Sequence, residues 1–205
     1  SSDAQASLPS PYTFVAGDNG VHMFSATLKT VGMQSITATD AANSLNGTQG
    51  SIVVMPAAAA SMTLDGYPSS VVAGSPAQAT LTMRDAWGNV ATGYTGTVHF
   101  TSSDGNAMLP ADYTFTAADA GLHSFNVTLK AAGTQSITAQ DTGNASLTST
   151  QSGIVVVPAP VAMFVVNGYP SLITAGTAGN FTVTAKDVYG NVATHYAGTA
   201  HFTSS

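Results

Sequence analysis

SSDAQASLPSPYTFVAGDNGVHMFSATLKTVGMQSITATD, residues 1–40, aligns without a gap on SSDGNAMLPADYTFTAADAGLHSFNVTLKAAGTQSITAQD, residues 102–141. The offset is 101 residues, and a one-residue insertion raises it to 102 from there on. SIVVMPAAAASMTLDGYPSSVVAG (51–74) then matches GIVVVPAPVAMFVVNGYPSLITAG (153–176), and MRDAWGNVATGYTGTVHFTSS (83–103) matches AKDVYGNVATHYAGTAHFTSS (185–205). Self-similarity at a fixed period marks a repeated structural unit and outranks any local pattern. The stretches that contain Pro56 and Pro158 separate one strand pattern from the next. The expected organisation is therefore the later half of a unit at 1–57, one complete unit at 58–160, and the earlier half of another at 161–205.

Within the unit the apolar period is two. Ala79, Leu81 and Met83 alternate with Gln78, Thr80 and Thr82. Val98 and Phe100 alternate with Thr97, His99 and Thr101. Phe125, Val127 and Leu129 alternate with Asn126, Thr128 and Lys130. Such runs describe half-buried antiparallel strands, one face in a core and the other in water. Turn chemistry falls between them at Asp65-Gly66-Tyr67-Pro68, Gly88-Asn89, Asp104-Gly105 and Gly133. Strands are expected near 60–65, 70–73, 78–85, 95–101, 113–116, 122–130, 134–141 and 147–157. About seven short strands per hundred residues is the pattern of a β-sandwich. With a seven-residue strand spanning about 23 Å, each unit is expected to add roughly 40 Å to a semi-stiff rod.

Composition narrows the functions. Charged residues make up only 7% of the chain, so Ser, Thr, Asn and Gln must keep the surface wet. Four basic residues (Lys29, Arg84, Lys130, Lys186) stand against ten acids, all Asp, which leaves no basic face for nucleic acid. Cysteine is absent, so no disulfide or thiolate site can form. No apolar run approaches the length of a membrane span, and an export signal or anchor is expected outside these residues.

DAWGNVATGYTGTVHFTSS (85–103) and DVYGNVATHYAGTAHFTSS (187–205) resemble the bacterial Ig-like domains of the invasin and intimin kind, which carry an Asp-x-x-Gly-Asn turn followed by a Thr-Val-x-Phe-Thr-Ser strand. YTFTAADAGLHSFNVTLKAAGTQSITAQD (113–141) is similar to the hairpin region of the same repeats. The resemblance implies an all-β fold of tandem immunoglobulin-like β-sandwich repeats, about 102 residues each. It implies a spacer, stalk or filament in a large extracellular or cell-surface bacterial protein such as an adhesin. It carries over no catalytic residue and no cofactor.

Chemistry-bearing residues have plain structural readings. His22 corresponds to His123 and His99 to His201, but neither pair sits in a metal-ligand or triad spacing. Asp85 with Gly88-Asn89, and Asp187 with Gly190-Asn191, offer one carboxylate and one amide each, too few for calcium, so a local turn is expected. Trp87 and Tyr189 share a position, as do Tyr94 and Tyr196, and Tyr67 and Tyr169. They are expected to cap the ends of the sandwich, with sugar stacking as the alternative that keeps an adhesive or carbohydrate-binding module open. Lys130 is expected to point to solvent. Sequons stand at Asn46, Asn126, Asn144 and Asn180. No nucleophile motif or paired carboxylates appear, and an enzyme is not expected.

Half a sandwich exposes its inner face. Ordering about 50 residues costs on the order of 75 kcal/mol, which demands roughly 3,000 Å² of apolar burial that neither half holds alone. The partners expected are therefore neighbouring repeats of a longer array, or copies of the chain joined head to tail. Lateral contacts between rods, and glycans, are weaker expectations.

Overall fold

The computed structural model describes residues 1–204, so the last residue of the 161–205 stretch lies outside the described residues. It is all-β. The strands are β1 (Gly32–Asp40), β2 (Leu45–Val54), β3 (Ser61–Asp65), β4 (Ser70–Val72), β5 (Pro76–Arg84), β6 (Thr97–Ser102), β7 (Tyr113–Thr114), β8 (Leu122–Thr128), β9 (Gly133–Asp141), β10 (Thr148–Val157), β11 (Met163–Asn167) and β12 (Thr182–Lys186). Two single 3-10 turns, Ala16–Asp18 and Ala117–Asp119, are the helical segments among the described residues. All eight strands expected between 60 and 157 form, with ends within about three residues of their expected places.

They build a five-stranded sheet in the order β4-β10-β9-β6-β7, a three-stranded sheet β3-β5-β8, and the separate hairpins β1-β2 and β11-β12. This is the arrangement of a β-sandwich of the immunoglobulin-like kind. The chain forms two compact units. One comprises Ser1–Met62, Thr82–Thr95 and Phe115–Leu122; the other comprises Thr63–Leu81, Gly96–Thr114 and His123–Ser205.

In the second unit Leu81, Val98, Phe100, Val127 and Leu129 of the alternating set are buried, and Ile137, Ile154 and Val156 join them. Phe100 of β6 meets Phe125 of β8 with ring centroids 4.6 Å apart, which joins the two sheets face to face. The Tyr67 hydroxyl donates to the Val127 carbonyl, so this tyrosine is a core residue and not an end cap. In the first unit Met62, Met83, Ala91 and Phe115 are buried, with Tyr94 edge-on to Phe115 at 5.2 Å.

Two expectations need correction. Thr82, placed on the wet face, is buried, although Thr80 on the same face of β5 is only half-buried. Lys130, placed in solvent, is half-buried with its Nζ 5.9 Å from the ring centre of Tyr189. The alternation does not reach it because β8 stops at Thr128.

The hairpins repeat one geometry. β1-β2 pairs Gln34 with Ile52 and then shifts register before Ile36 meets Gln49; β9-β10 pairs Gln135 with Ile154 and shifts before Ile137 meets Gln151. The residue at the bulge is left-handed in both, Gly153 at φ 74° and Ser51 at φ 56°. Glycine takes that conformation freely, whereas Ser51 does so at some cost.

Candidate functional site

The densest polar constructions in the chain sit beside the linkers after Pro56 and Pro158, and the Asp-x-x-Gly-Asn turns build them. The turn itself is made by Gly88 and Gly190, both at φ 87°, a conformation only glycine adopts cheaply. Asn89 and Asn191 have no positive φ, so the turn does not require their side chains. Those side chains are used elsewhere.

In the second unit, Asp187 is fully buried. Its Oδ1 accepts from the Tyr189 and Asn191 backbone N–H groups, both at 2.9 Å. Its Oδ2 accepts from the linker N–H of Ala159 at 2.9 Å and from Asn191 Nδ2 at 2.8 Å. The other hydrogen of Asn191 Nδ2 goes to the Lys130 carbonyl at 2.7 Å, and Asn191 Oδ1 accepts from the Ala132 N–H at 2.9 Å. The amide thus spends both donors and its acceptor, and it bridges a turn some sixty residues upstream to the buried carboxylate.

The first unit holds the same set. Asp85 accepts from Trp87 N–H, Asn89 N–H, Ala57 N–H and Asn89 Nδ2. Asn89 Nδ2 donates to the Lys29 carbonyl at 2.7 Å, and Asn89 Oδ1 accepts from Val31 N–H at 3.1 Å. A second buried acid fixes each upstream turn. Asp104 accepts from the Lys130 and Ala131 N–H groups and from Asn106 N–H. Asp3 accepts from Lys29 N–H, Thr30 N–H, Thr30 Oγ1 and Gln5 N–H. Each clamp therefore runs from a buried acid, through a turn, to an Asn side chain, to a second buried acid and on to the linker.

The electrostatics follow. Burial opposes ionisation of Asp85 and Asp187, but the hydrogen bonds from the Asn side chain, the linker amide and the turn amides outweigh it and hold both carboxyls below the usual range. Asp3 is depressed in the same way, by its bonds to Thr30, Lys29 and Gln5 against the opposing effect of burial. A carboxyl depressed on folding contributes stability that is present above its unfolded pKa and is lost as pH falls through its folded one. The clamps should therefore be indifferent to pH from neutrality down to about 4 and loosen only below it. Amide exchange at Ala57 and Ala159, followed by NMR from pH 7 to pH 2.5, would show protection lost only at the acid end. Loss between pH 7 and 5 would contradict this account.

Four N–H donors fill the acceptor positions of Asp85, and four fill those of Asp187, which leaves no lone pair directed at a cation. The reading of these motifs as local turns was half of the truth, since Asp does bond nearby backbone but Asn reaches across to a distant turn. A sequence signal for this existed. Gly alone satisfies the turn, so the recurrence of Asn after it called for a second use. The aromatic residue of the motif also has a defined seat. The Tyr189 hydroxyl lies where a Cβ on Gly74 would be, 2.0 Å from that position, so only glycine leaves room for it.

Three of the histidines are engaged elsewhere. His22 and His123 stack on Tyr12 and Tyr113 at 3.9 and 4.1 Å, and His99 bonds exposed Asp112 at 2.6 Å. Among the described residues no group of three metal-ligating side chains converges. Among the described residues no helix is long and apolar enough to cross a membrane.

No protein-family model matches the chain, and no curated protein matches it. Solved structures similar to it include the adhesin FdeC of Escherichia coli, at 17% identity over 82% of this chain and 66% of that one, with a TM-score of 0.44. The bacterial integrin-binding protein invasin is similar at 19% identity over 84% of this chain and 35% of that one, with a TM-score of 0.43. The surface-layer protein SbsC is similar at 21% identity over 82% of this chain, with a TM-score of 0.36; the chain spans about a fifth of it, 21%. Invasin is of the same kind as the repeats that the Asp-x-x-Gly-Asn segments resemble.

Proposed function

We propose that the chain is a structural spacer: part of a tandem array of Ig-like units of about 102 residues, divided at 1–57, 58–160 and 161–205, in an extracellular or cell-surface protein. The observation that carries this reading is the pair of clamps. A module that only needs to fold has no use for a side chain that ties the turn before a linker to the turn after it. A stalk does, because a linker bonded to a carboxylate that an Asn side chain ties to the upstream turn resists bending. Asn89 and Asn191 are the residues assigned to that role, with Asp85 and Asp187 as the groups that position them. The partners are neighbouring units, and no catalytic activity is assigned.

The test is Asn89→Ala and Asn191→Ala in the 205-residue chain. Each removes two hydrogen bonds to the upstream turn at a net cost of about 1–3 kcal/mol. Amide exchange at Val31 or Ala132 should then speed up by roughly tenfold to a hundredfold, and residual dipolar couplings on the two sides of the linker should no longer fit one alignment tensor. Unchanged exchange and a single tensor would defeat the spacer reading. A glycan array addresses the alternative, an adhesive or carbohydrate-binding module: a spacer gives no sugar-dependent signal, and a reproducible one would move the function to the exposed aromatics Trp87 and Tyr169.

A further inference from the structure

Two attachments join the turn at 187–191 to the residues before it, all within the second compact unit. Asp187 holds the Ala159 N–H of the linker, and Asn191 holds the turn at 130–132 through the Lys130 carbonyl and the Ala132 N–H. A body held at two points still swings about the line that joins them. The Tyr189 side chain makes a third contact, on a different turn, that stands against the swing.

That turn lies between β4 and β5 and contains Gly74. The Gly74 N–H donates to the Leu129 carbonyl at 2.8 Å, and the Ala73 N–H donates to the Val157 carbonyl at 2.8 Å. The turn is thereby fastened to the residue before Lys130 and to the residue before Pro158, with Ala73 buried. The tip of the Tyr189 ring rests on it. A Cβ at Gly74 would lie 2.0 Å from Tyr189 Oη, 2.4 Å from Cζ and 2.5 Å from Cε2. Lys130 Nζ stands 5.9 Å from the centre of the same ring, within reach of a cation–π attraction. The main chain of Lys130 is itself fixed, its N–H by Asp104 and its carbonyl by Asn191.

We infer that Gly74 and Lys130 form a docking seat for the aromatic residue of the following unit's Asp-x-x-Gly-Asn turn, and that its occupation by Tyr189 fixes the rotation of one unit on the next. The inference rests on the spacer reading above and names the residues through which a unit receives its neighbour. The parts of the seat recur with the period: Gly74 corresponds to Gly176, Lys130 to Lys29, and Tyr189 to Trp87. Tyrosine and tryptophan share a flat ring and not a hydroxyl, so the ring is what such a seat takes. Gly74 is required twice over, because its φ is 83° and because a side chain would fill the space that the ring occupies.

NMR of the 205-residue chain tests the seat. In the wild type an NOE should join the Gly74 Hα protons to the Tyr189 ring, and residual dipolar couplings of residues 185–193 should fit the alignment tensor of residues 60–157. Tyr189→Ala should break that fit. Amide exchange at Ala132 and Ala159 should meanwhile stay within about threefold of wild type, because the clamp uses the Tyr189 N–H and not its side chain. Tyr189→Phe should keep the fit. Gly74→Ala should act as Tyr189→Ala does, and combined with Tyr189→Ala it should add no further misfit; the combination separates the clash from the strain of a side chain at φ 83°. A fit that survives Tyr189→Ala overturns the inference. So does a loss of protection at Ala132 and Ala159 as large as that from Asn191→Ala, since the ring would then be a buttress of the clamp and no separate contact. Either result leaves the spacer reading standing, because that reading is decided by Asn89→Ala and Asn191→Ala.

Discussion

Asp187→Ala is expected to lower the stability of the region around the 158–161 linker by about 3 kcal/mol, far more than a surface substitution. The carboxylate is fully buried and accepts four hydrogen bonds, from Ala159, Tyr189, Asn191 and the Asn191 side chain. Alanine would strand all four donors at once, and an unsatisfied buried donor costs its desolvation in full, whereas a made hydrogen bond contributes only its net gain. The damage should spread in a definite direction. Once Asn191 is no longer held by Asp187, its bonds to Lys130 and Ala132 lose their anchor, so the upstream turn should loosen as well. Asp187→Asn keeps the shape and one acceptor but sets an amide group against other donors, so it should fall between wild type and alanine. Hydrogen exchange followed by mass spectrometry can separate these outcomes through peptides covering 128–134 and 157–165. If Asp187→Ala speeds exchange in the second peptide and leaves the first unchanged, the side chain serves its own turn only and the relay is wrong.

The second large effect is a contrast between two phenylalanines. Phe100→Ala should cost about 3–5 kcal/mol, the range for emptying a buried aromatic site. Phe100 is 2% exposed and packs on Phe125 at the meeting of the two sheets. Phe202→Ala, at the corresponding position, should change the stability of the dilute chain by no more than about 0.5 kcal/mol, because that ring is 59% exposed. Urea denaturation of both variants at low micromolar concentration measures the difference. Equal losses would mean that residues 199–204 are held in the isolated chain as firmly as β6.

Most of the strand pattern was legible in the residues. The alternation through Leu81, Val98-Phe100 and Phe125-Val127 named the core correctly, because burying one face of a strand dictates side chains two by two. Thr82 and Lys130 escaped that logic. The first depends on how the chain folds around β5, the second on where a strand stops, and neither is a property of a local run. The clamp was half legible. Asp-x-x-Gly-Asn announced a turn, and the left-handed Gly88 and Gly190 confirm it, but the target of the Asn side chain lies about sixty residues away.

By itself, the order of the residues determined that this is a β protein with a 101- to 102-residue period, which oily positions face inward, and where the turns fall. Those are consequences of periodicity and backbone chemistry, which act between neighbours along the chain. Only the tertiary structure decided that Asn89 and Asn191 bridge to distant turns, that Asp85 and Asp187 spend every lone pair on N–H groups, and that residues 12–13, 21–27, 172–174 and 199–204 form no strands. Hydrogen bonds and sheet pairing are made between segments far apart in the chain, and their partners come into view only when the backbone has been laid out in space.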